Sequence, residues 1–380
     1  MPDIGRVSEL IADPGPWTFA YIDGPSDQPE PEELARQRSV RDRLEEVDAP
    51  EADVDAATAA VARRTGFASP SARFLLIRNG RVEVDESFAG ARTGPERLGH
   101  GPVPHLLPLL QEEYESVLYL VVETSRDGAT VHLERSGTRH PELTEEIEGD
   151  TTDITKVRAG NMAQAGIQRR SEEVWKHNQT EVAEVVDELV RQRHPAFIVL
   201  SGDMRARKLL TDRLNRESKQ LLVEVDANTR ADGSDDSVLE DSIHAAIERT
   251  LRDAAADVRD RAAAGDHRAA AEGRQEVVEA LQAAQVDTLI LDARLADAGG
   301  SLDALDAPPW VSLGEEDSLS ATVIASVPAA DALARAALLS GARVIVEGRD
   351  QQPEGEARDD GPPAAPFAYL RWSTTDATGR

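Results

Sequence analysis

Cysteine is absent from the 380 residues. Disulfides, thiolate-bound zinc, iron–sulfur clusters and a thiol nucleophile are excluded together. Basic residues are scarce: Lys and Arg number 42 against 71 Asp and Glu, for a net charge of −29. A protein basic throughout is excluded, so any nucleic-acid contact must come from local positive islands. Long apolar runs are missing too. The longest are of the order of Phe197-Ile198-Val199-Leu200, far short of the roughly 20 residues of a membrane helix. The opening MPDIGRVSEL has no cationic segment leading into an apolar one, which predicts no export signal and a soluble, cytoplasmic protein. Aromatic residues are only 4%, although a hydrophobic share of 40% is enough for globular cores.

The common catalytic and nucleotide-binding patterns are also absent. There is no G-x-x-x-x-G-K-[ST], no G-x-G-x-x-G between a strand and a helix, and no G-x-S-x-G elbow. The eight histidines are scattered. His100 and His105 are the nearest pair but lack H-E-x-x-H order, and read as surface histidines. The acidic run Asp226–Asp236 has Ala231 where a calcium loop needs glycine. The sequence therefore predicts no metal and no cofactor.

What is present is an alternation of strand and helix patterns, which predicts an α/β fold of three consecutive domains at 1–113, 114–255 and 256–380. The central domain is expected to hold a mixed or parallel sheet flanked by helices, and the last an α/β sandwich. Apolar runs around Asn79-Gly80 and around Arg126-Asp127-Gly128 predict two hairpins. Residues 90–108 read as loop, and 138–170 as polar and irregular. Val182, Val185, Val186 and Leu189 mark one apolar helix face in a helix from about Gln168 to Arg193. The strand at 197–200, a Ser201-Gly202-Asp203 loop, a helix and the strand at 221–225 predict a parallel crossover.

Two stretches run against the acidic background. Lys156, Arg158, Arg169, Arg170 and Lys176 face only Glu172 and Glu173 across 21 residues. Arg205, Arg207, Lys208, Arg213, Arg216 and Lys219 face only Asp212 and Glu217 across 15. Phosphate backbones bind such islands by Coulomb attraction and counterion release; exposed arginines that merely solvate a helix are the plain alternative. Inside the first island, Gly160, Asn161, Met162, Ala163, Gln164, Ala165 and Gly166 form a small, uncharged tip. Its small residues permit close backbone approach to a partner.

The order of basic residue, small tip, Ile167-Gln168-Arg169-Arg170 and Lys176-His177-Asn178 resembles the central domain of archaeal and eukaryotic class I release factors and Pelota. Phe197–Asp203 and Glu276–Asp292 resemble the following strand–loop and the opening of the C-terminal, ribosomal-protein-like domain, so the likeness spans about 115–350. The bacterial, Balon-like branch of hibernation factors is the nearest in kind. By the family's spacing, Asn161-Met162-Ala163 stand where Gly-Gly-Gln would, with Gln164 one position late. The resemblance implies a non-enzymatic factor that occupies the ribosomal A site in hibernation or stalled-ribosome rescue, without peptide release. It implies ribosomal RNA and elongation factor Tu as partners, and neither DNA nor membrane. The RNA-contacting set would be Lys156, Arg158, Gly160 to Gln164, Arg169, Arg170, Lys176 and His177. A peptidyl-tRNA hydrolase or tRNA nuclease using Gln164 is the enzymatic alternative; a protein-interaction module with ordinary surface arginines is the third.

Overall fold

The structure, a computed structural model, describes residues 3–13, 15–25, 30–67, 69–125, 127–138, 140–148, 161–225, 237–264, 269–314, 320–348 and 361–372, with only the backbone of 161–172. They form two compact units: Ser116–Arg252, and Met1–Glu115 together with Asp253–Arg380. Each of the three stretches carries its own sheet and helices, so the architecture is mixed α/β.

The first stretch holds α1 (Ile4–Ala12), α2 (Glu30–Glu46), α3 (Glu51–Val61) and α4 (Leu107–Tyr114). Its antiparallel sheet joins β1 (Trp17–Asp23), β2 (Ser71–Arg78), β3 (Arg81–Ala89) and β4 (Arg97–Gly101) in the order β3-β2-β1-β4. Alternate side chains point to opposite faces. Ala20, Ile22, Leu75 and Ile77 pack with α2 and α3, while Tyr21, Phe74 and Leu76 enter a second core. Asn79 and Gly80 both take positive φ, 53° and 72°, the requirement of the two-residue type I′ turn that joins β2 to β3. β4 lies in the stretch expected to be loop; five residues with two glycines carry little strand signal, and pairing with Trp17–Tyr21 forms it.

The central stretch pairs β5 (Leu118–Ser125) with β6 (Gly128–Arg135) in the second hairpin. β7 (Leu143–Glu148) adds beyond β6; α5 (Asn161–Arg193), β8 (Ile198–Gly202), α6 (Met204–Arg213), α7 (Arg216–Gln220) and β9 (Leu222–Glu224) follow. The order is β7-β6-β5-β8-β9, antiparallel on the hairpin side and parallel from β5 to β9. Val182, Val186 and Leu189 of α5 and Leu210 of α6 cover Leu120 and Leu200 on one face. On the other face Tyr119, Val121 and Val199 meet Ala246 of α8 (Ser237–Ala264). Two sequence expectations change here. Within 138–170, residues 143–148 form a strand whose only inward apolar side chains are Leu143 and Ile147, too few to show against its glutamates. The helix expected from Gln168 starts at Asn161, because alanine, methionine and glutamine propagate a helix readily and no proline intervenes.

The last stretch contains β10 (Ala270–Glu272), α9 (Arg274–Gln282), β11 (Val286–Asp292), α10 (Leu295–Ala298), β12 (Ser301–Leu305), β13 (Val311–Ser312), β14 (Val323–Pro328), α11 (Ala329–Leu339), β15 (Arg343–Glu347) and β16 (Phe367–Leu370). One sheet runs β10-β16-β11-β15 and a smaller one β13-β12-β14. α11 is buried from Ala329 to Leu338, and its alanines let neighbours close in on every side. Val7, Leu106 and Leu109 of the first stretch share one core with Leu289, Ala330 and Leu333 of the last. The segments expected to be separate domains, 1–113 and 256–380, are therefore one unit. Local periodicity does not reveal an apolar face whose complement lies more than 200 residues away. His105, expected at the surface, is only 8% exposed and places Nδ1 2.7 Å from Asp331 Oδ1 across this shared core.

Within the first stretch, Asp53 ties four elements together at 2% exposure. Its Oδ2 accepts the Thr18 hydroxyl at 2.7 Å and its Oδ1 accepts the Gly80 N–H at 2.6 Å. Thr18 Oγ1 also lies 2.9 Å from His100 Nδ1 on β4, so this histidine too is part of the internal hydrogen bonding. Asp53→Ala leaves a buried hydroxyl and a turn amide without their acceptor. It should cost about 2–4 kcal/mol of stability, read as a lower urea midpoint, with Asp53→Asn losing less.

Candidate nucleic-acid interface

The central unit is closed at Thr124, the seventh residue of β5. The Thr124 hydroxyl donates to Gln179 Oε1 at 2.9 Å, and Gln179 Nε2 donates to the Ser125 carbonyl at 2.8 Å. Gln179 is fully buried, and Asn178 beside it is 1% exposed. The Thr124 carbonyl accepts the Asp203 N–H at 3.0 Å. Gly202, between β8 and α6, has φ +110°, and a Cβ there would overlap that same carbonyl oxygen. Only glycine fits, because the chain must pass this close while turning through positive φ. Asp203 then caps α6, its side chain accepting from the Arg205 and Ala206 amides.

This junction sets where α5 meets the sheet. The 33 residues of α5 span about 50 Å at 1.5 Å each. Its described buried side chains begin at Asn178 and recur at Val182, Ala183, Val186, Leu189 and Val190. Just before that anchor Lys176 and His177 are exposed, while Val174 and Trp175 are half-buried.

The sequence-derived site residues fall into three groups. Lys156, Arg158 and Gly160 lie outside the described residues. Asn161, Met162, Ala163, Gln164, Arg169 and Arg170 lie on the helical backbone of α5, and their side chains lie outside the described ones. Lys176 and His177 are exposed, with His177 Nε2 3.5 Å from Glu181 Oε1.

From the second island, Arg205, Lys208, Arg213, Arg216 and Lys219 are exposed. Arg207 is not. It is 8% exposed, and its Nη1 donates to the Val225 carbonyl at 2.9 Å beyond β9. The helical period sends residue 207 inward when 205 and 208 point out, so Arg207 is withdrawn from the exposed second island.

The fold brings the last residue of the first island to the second. Arg213 Nε donates to the Lys176 carbonyl at 3.3 Å, across 37 residues of sequence. Asp187 of α5 fixes the corner between α6 and α7. Its carboxylate accepts the Ser218 hydroxyl at 2.6 Å and the Asn215 amide at 3.2 Å. Lys219 Nζ folds back to the Asp212 carbonyl at 3.2 Å. None of the positioning residues Thr124, Gln179 and Asp187 carries a motif, so the sequence held no signal for them. Farther along α5 the charge is used internally: Arg191 pairs with Glu188, and that hydrogen bond holds the Glu188 carboxyl below the ordinary carboxylate range. Among the described residues no cluster of three or more metal-ligating side chains occurs, and no helix is long and apolar enough to cross a membrane.

Gln179→Leu keeps the volume but leaves the Thr124 hydroxyl and Ser125 carbonyl without their partner. The local cost should be about 2–4 kcal/mol. Hydrogen exchange in the intact chain should show it as faster exchange at the β5 and β8 amides, with β1 and β2 unchanged.

Residues 118–268 match the family model of the bacterial archaeo-eukaryotic release factor family 2. An uncharacterized protein of Mycobacterium tuberculosis H37Rv, Rv2629, is 27% identical over 292 residues, covering 75% of this chain and 77% of its own. Among solved structures, yeast Dom34, a translation termination-like factor, aligns at 14% identity over 81% of this chain and 82% of its own, with a TM-score of 0.41. Archaeoglobus fulgidus Pelota aligns at 13% identity over 98% of this chain and 92% of its own, with a TM-score of 0.34. By this match, the stretch 118–268 is similar to the bacterial branch of the archaeo-eukaryotic release factors.

Proposed function

We propose that this protein is a ribosome-binding factor that occupies the A site, in hibernation or in rescue of stalled ribosomes, and does not release the peptide. The family match across the central unit carries this reading. In that superfamily the tip before the long helix is the part that enters the catalytic centre of the ribosome. Here the tip is Gly160-Asn161-Met162-Ala163-Gln164. Peptide release needs a glutamine held so that it orients one water at the ester bond. Asn161-Met162-Ala163 replace Gly-Gly-Gln at the matching spacing, and the backbone is already helical at Asn161. The missing Gly-Gly-Gln and the helical backbone at Asn161 both support a reading without peptide release. Elongation factor Tu as delivering GTPase belongs to the same reading and rests on the resemblance alone.

Sucrose-gradient sedimentation of the purified chain with bacterial ribosomes tests the proposal. The protein should travel with the ribosome and be displaced by an A-site tRNA. Incubation with ribosome-bound peptidyl-tRNA should release no peptide and cut no tRNA above background, with Gln164→Ala equal to wild type. A chain that stays at the top of the gradient refutes ribosome binding. Cleavage that Gln164→Ala abolishes makes the protein an enzyme instead.

A further inference from the structure

The sequence shows two separate basic islands; the fold produces something different. We infer that Lys176 of α5, Arg205, Lys208 and Arg213 of α6, and Arg216 and Lys219 of α7 form one preassembled surface that grips an RNA phosphate backbone. This rests on the ribosome-binding reading for its biological target, and on the structure for its residues.

All six are exposed, and none forms an ion pair with a carboxylate of the described residues. Other exposed arginines, such as Arg38, Arg64, Arg252 and Arg274, also lack an ion pair with a described carboxylate, so what sets these six apart is their grouping on α5, α6 and α7. In the same unit Arg135 and Arg193 both hold Glu142, and Arg191 holds Glu188. In the other unit Arg36, Arg41, Arg43, Arg73 and Arg92 each hold a carboxylate. The two acids inside the island, Asp212 and Glu217, are exposed and form no ion pair with a described residue.

The surface is held in shape before any ligand arrives. Asp187 staples α7 to α5, the Lys176 carbonyl holds Arg213 by its Nε, and the Asp212 carbonyl holds Lys219. Only one nitrogen of Arg213 is used in this way, so its two Nη groups keep their donors for a ligand. Less side-chain freedom is then lost on binding.

The face is polar almost throughout. Among its described residues the one large exposed apolar side chain is Met204, at the first position of α6. A protein partner would be expected to meet apolar or aromatic anchors near the centre of its footprint. A phosphate backbone needs only spaced cations. The helix N-terminus does not supply the attraction, because Asp203 already occupies the first amides of α6.

The test is the triple variant Lys208→Gln, Arg213→Gln, Arg216→Gln in the full chain, with the double variant Lys176→Gln, Lys219→Gln as a second set on the same surface. Arg191→Gln is the control for a cation already paired. The probes are purified bacterial ribosomes and protein-free ribosomal RNA, titrated between about 50 and 200 mM salt. Circular dichroism checks that each variant is folded. Wild type should bind both probes with an affinity that falls steeply as salt rises. The triple variant should bind about 10- to 100-fold more weakly, and its slope of log affinity against log salt should be shallower by about two to three. The double variant should lose about one to two in slope, and Arg191→Gln should match wild type. Variants that equal wild type on both probes overturn the surface while leaving ribosome binding intact. Variants that weaken ribosome binding while wild type ignores protein-free RNA show an acidic protein partner, and overturn it too. Wild type that ignores ribosomes yet grips RNA through these six residues keeps the surface and removes the ribosome.

Discussion

Everything that the central unit presents to a partner depends on how three chain segments converge on Thr124. Its hydroxyl receives α5 through Gln179, its carbonyl receives the amide of Asp203 at the start of α6, and Gly202 passes against it without a side chain. These contacts are buried, so water cannot substitute for any lost partner, and each is worth more than it would be on the surface. The convergence lies at the carboxyl ends of the parallel strands β5 and β8. The middle of a long helix and the start of a short one are therefore held at one point. The direction of α5 follows from these buried contacts.

Charge is distributed on the same logic. A net charge of −29 opposes binding to any polyanion at long range, and screening confines that repulsion to about 8–10 Å in physiological salt. A cluster of unpaired cations within that distance of a phosphate backbone can still dominate locally. The surrounding acids then suppress nonspecific adhesion rather than specific contact. Among the described residues of the central unit, Arg135, Arg191 and Arg193 sit in carboxylate pairs, whereas Lys176, Arg205, Lys208, Arg213, Arg216 and Lys219 do not.

The other unit shows a different economy. Aromatics are only 4% of the whole chain, and the cores of this unit set a few buried rings, Trp17, Tyr21 and Phe74, among aliphatic and small side chains. α11 is buried along nearly its whole length, and Asp331 within it meets His105 from a segment 226 residues away. Such a helix shows no polar face from which its surroundings could be guessed. A histidine between prolines looks like loop until the fold supplies its carboxylate.

Legibility followed the range of the forces involved. The two hairpins, the α5 face and the strand–helix–strand after Phe197 were readable because turn chemistry and side-chain periodicity act over a few residues, as Asn79-Gly80 and Val182/Val186/Leu189 show. β4 and β7 were not, because each is completed by partners rather than by its own apolar content. The two basic islands were countable in the sequence; that Lys176 and Arg213 share a surface, and that Arg207 leaves it for the carbonyl of Val225, was not. The amino-acid order by itself determined the α/β alternation, the acid excess and a tip without Gly-Gly-Gln. Tertiary structure alone decided which cations stay unpaired and which first and last segments share a core, since burial and pairing depend on contacts between residues that local patterning never brings together.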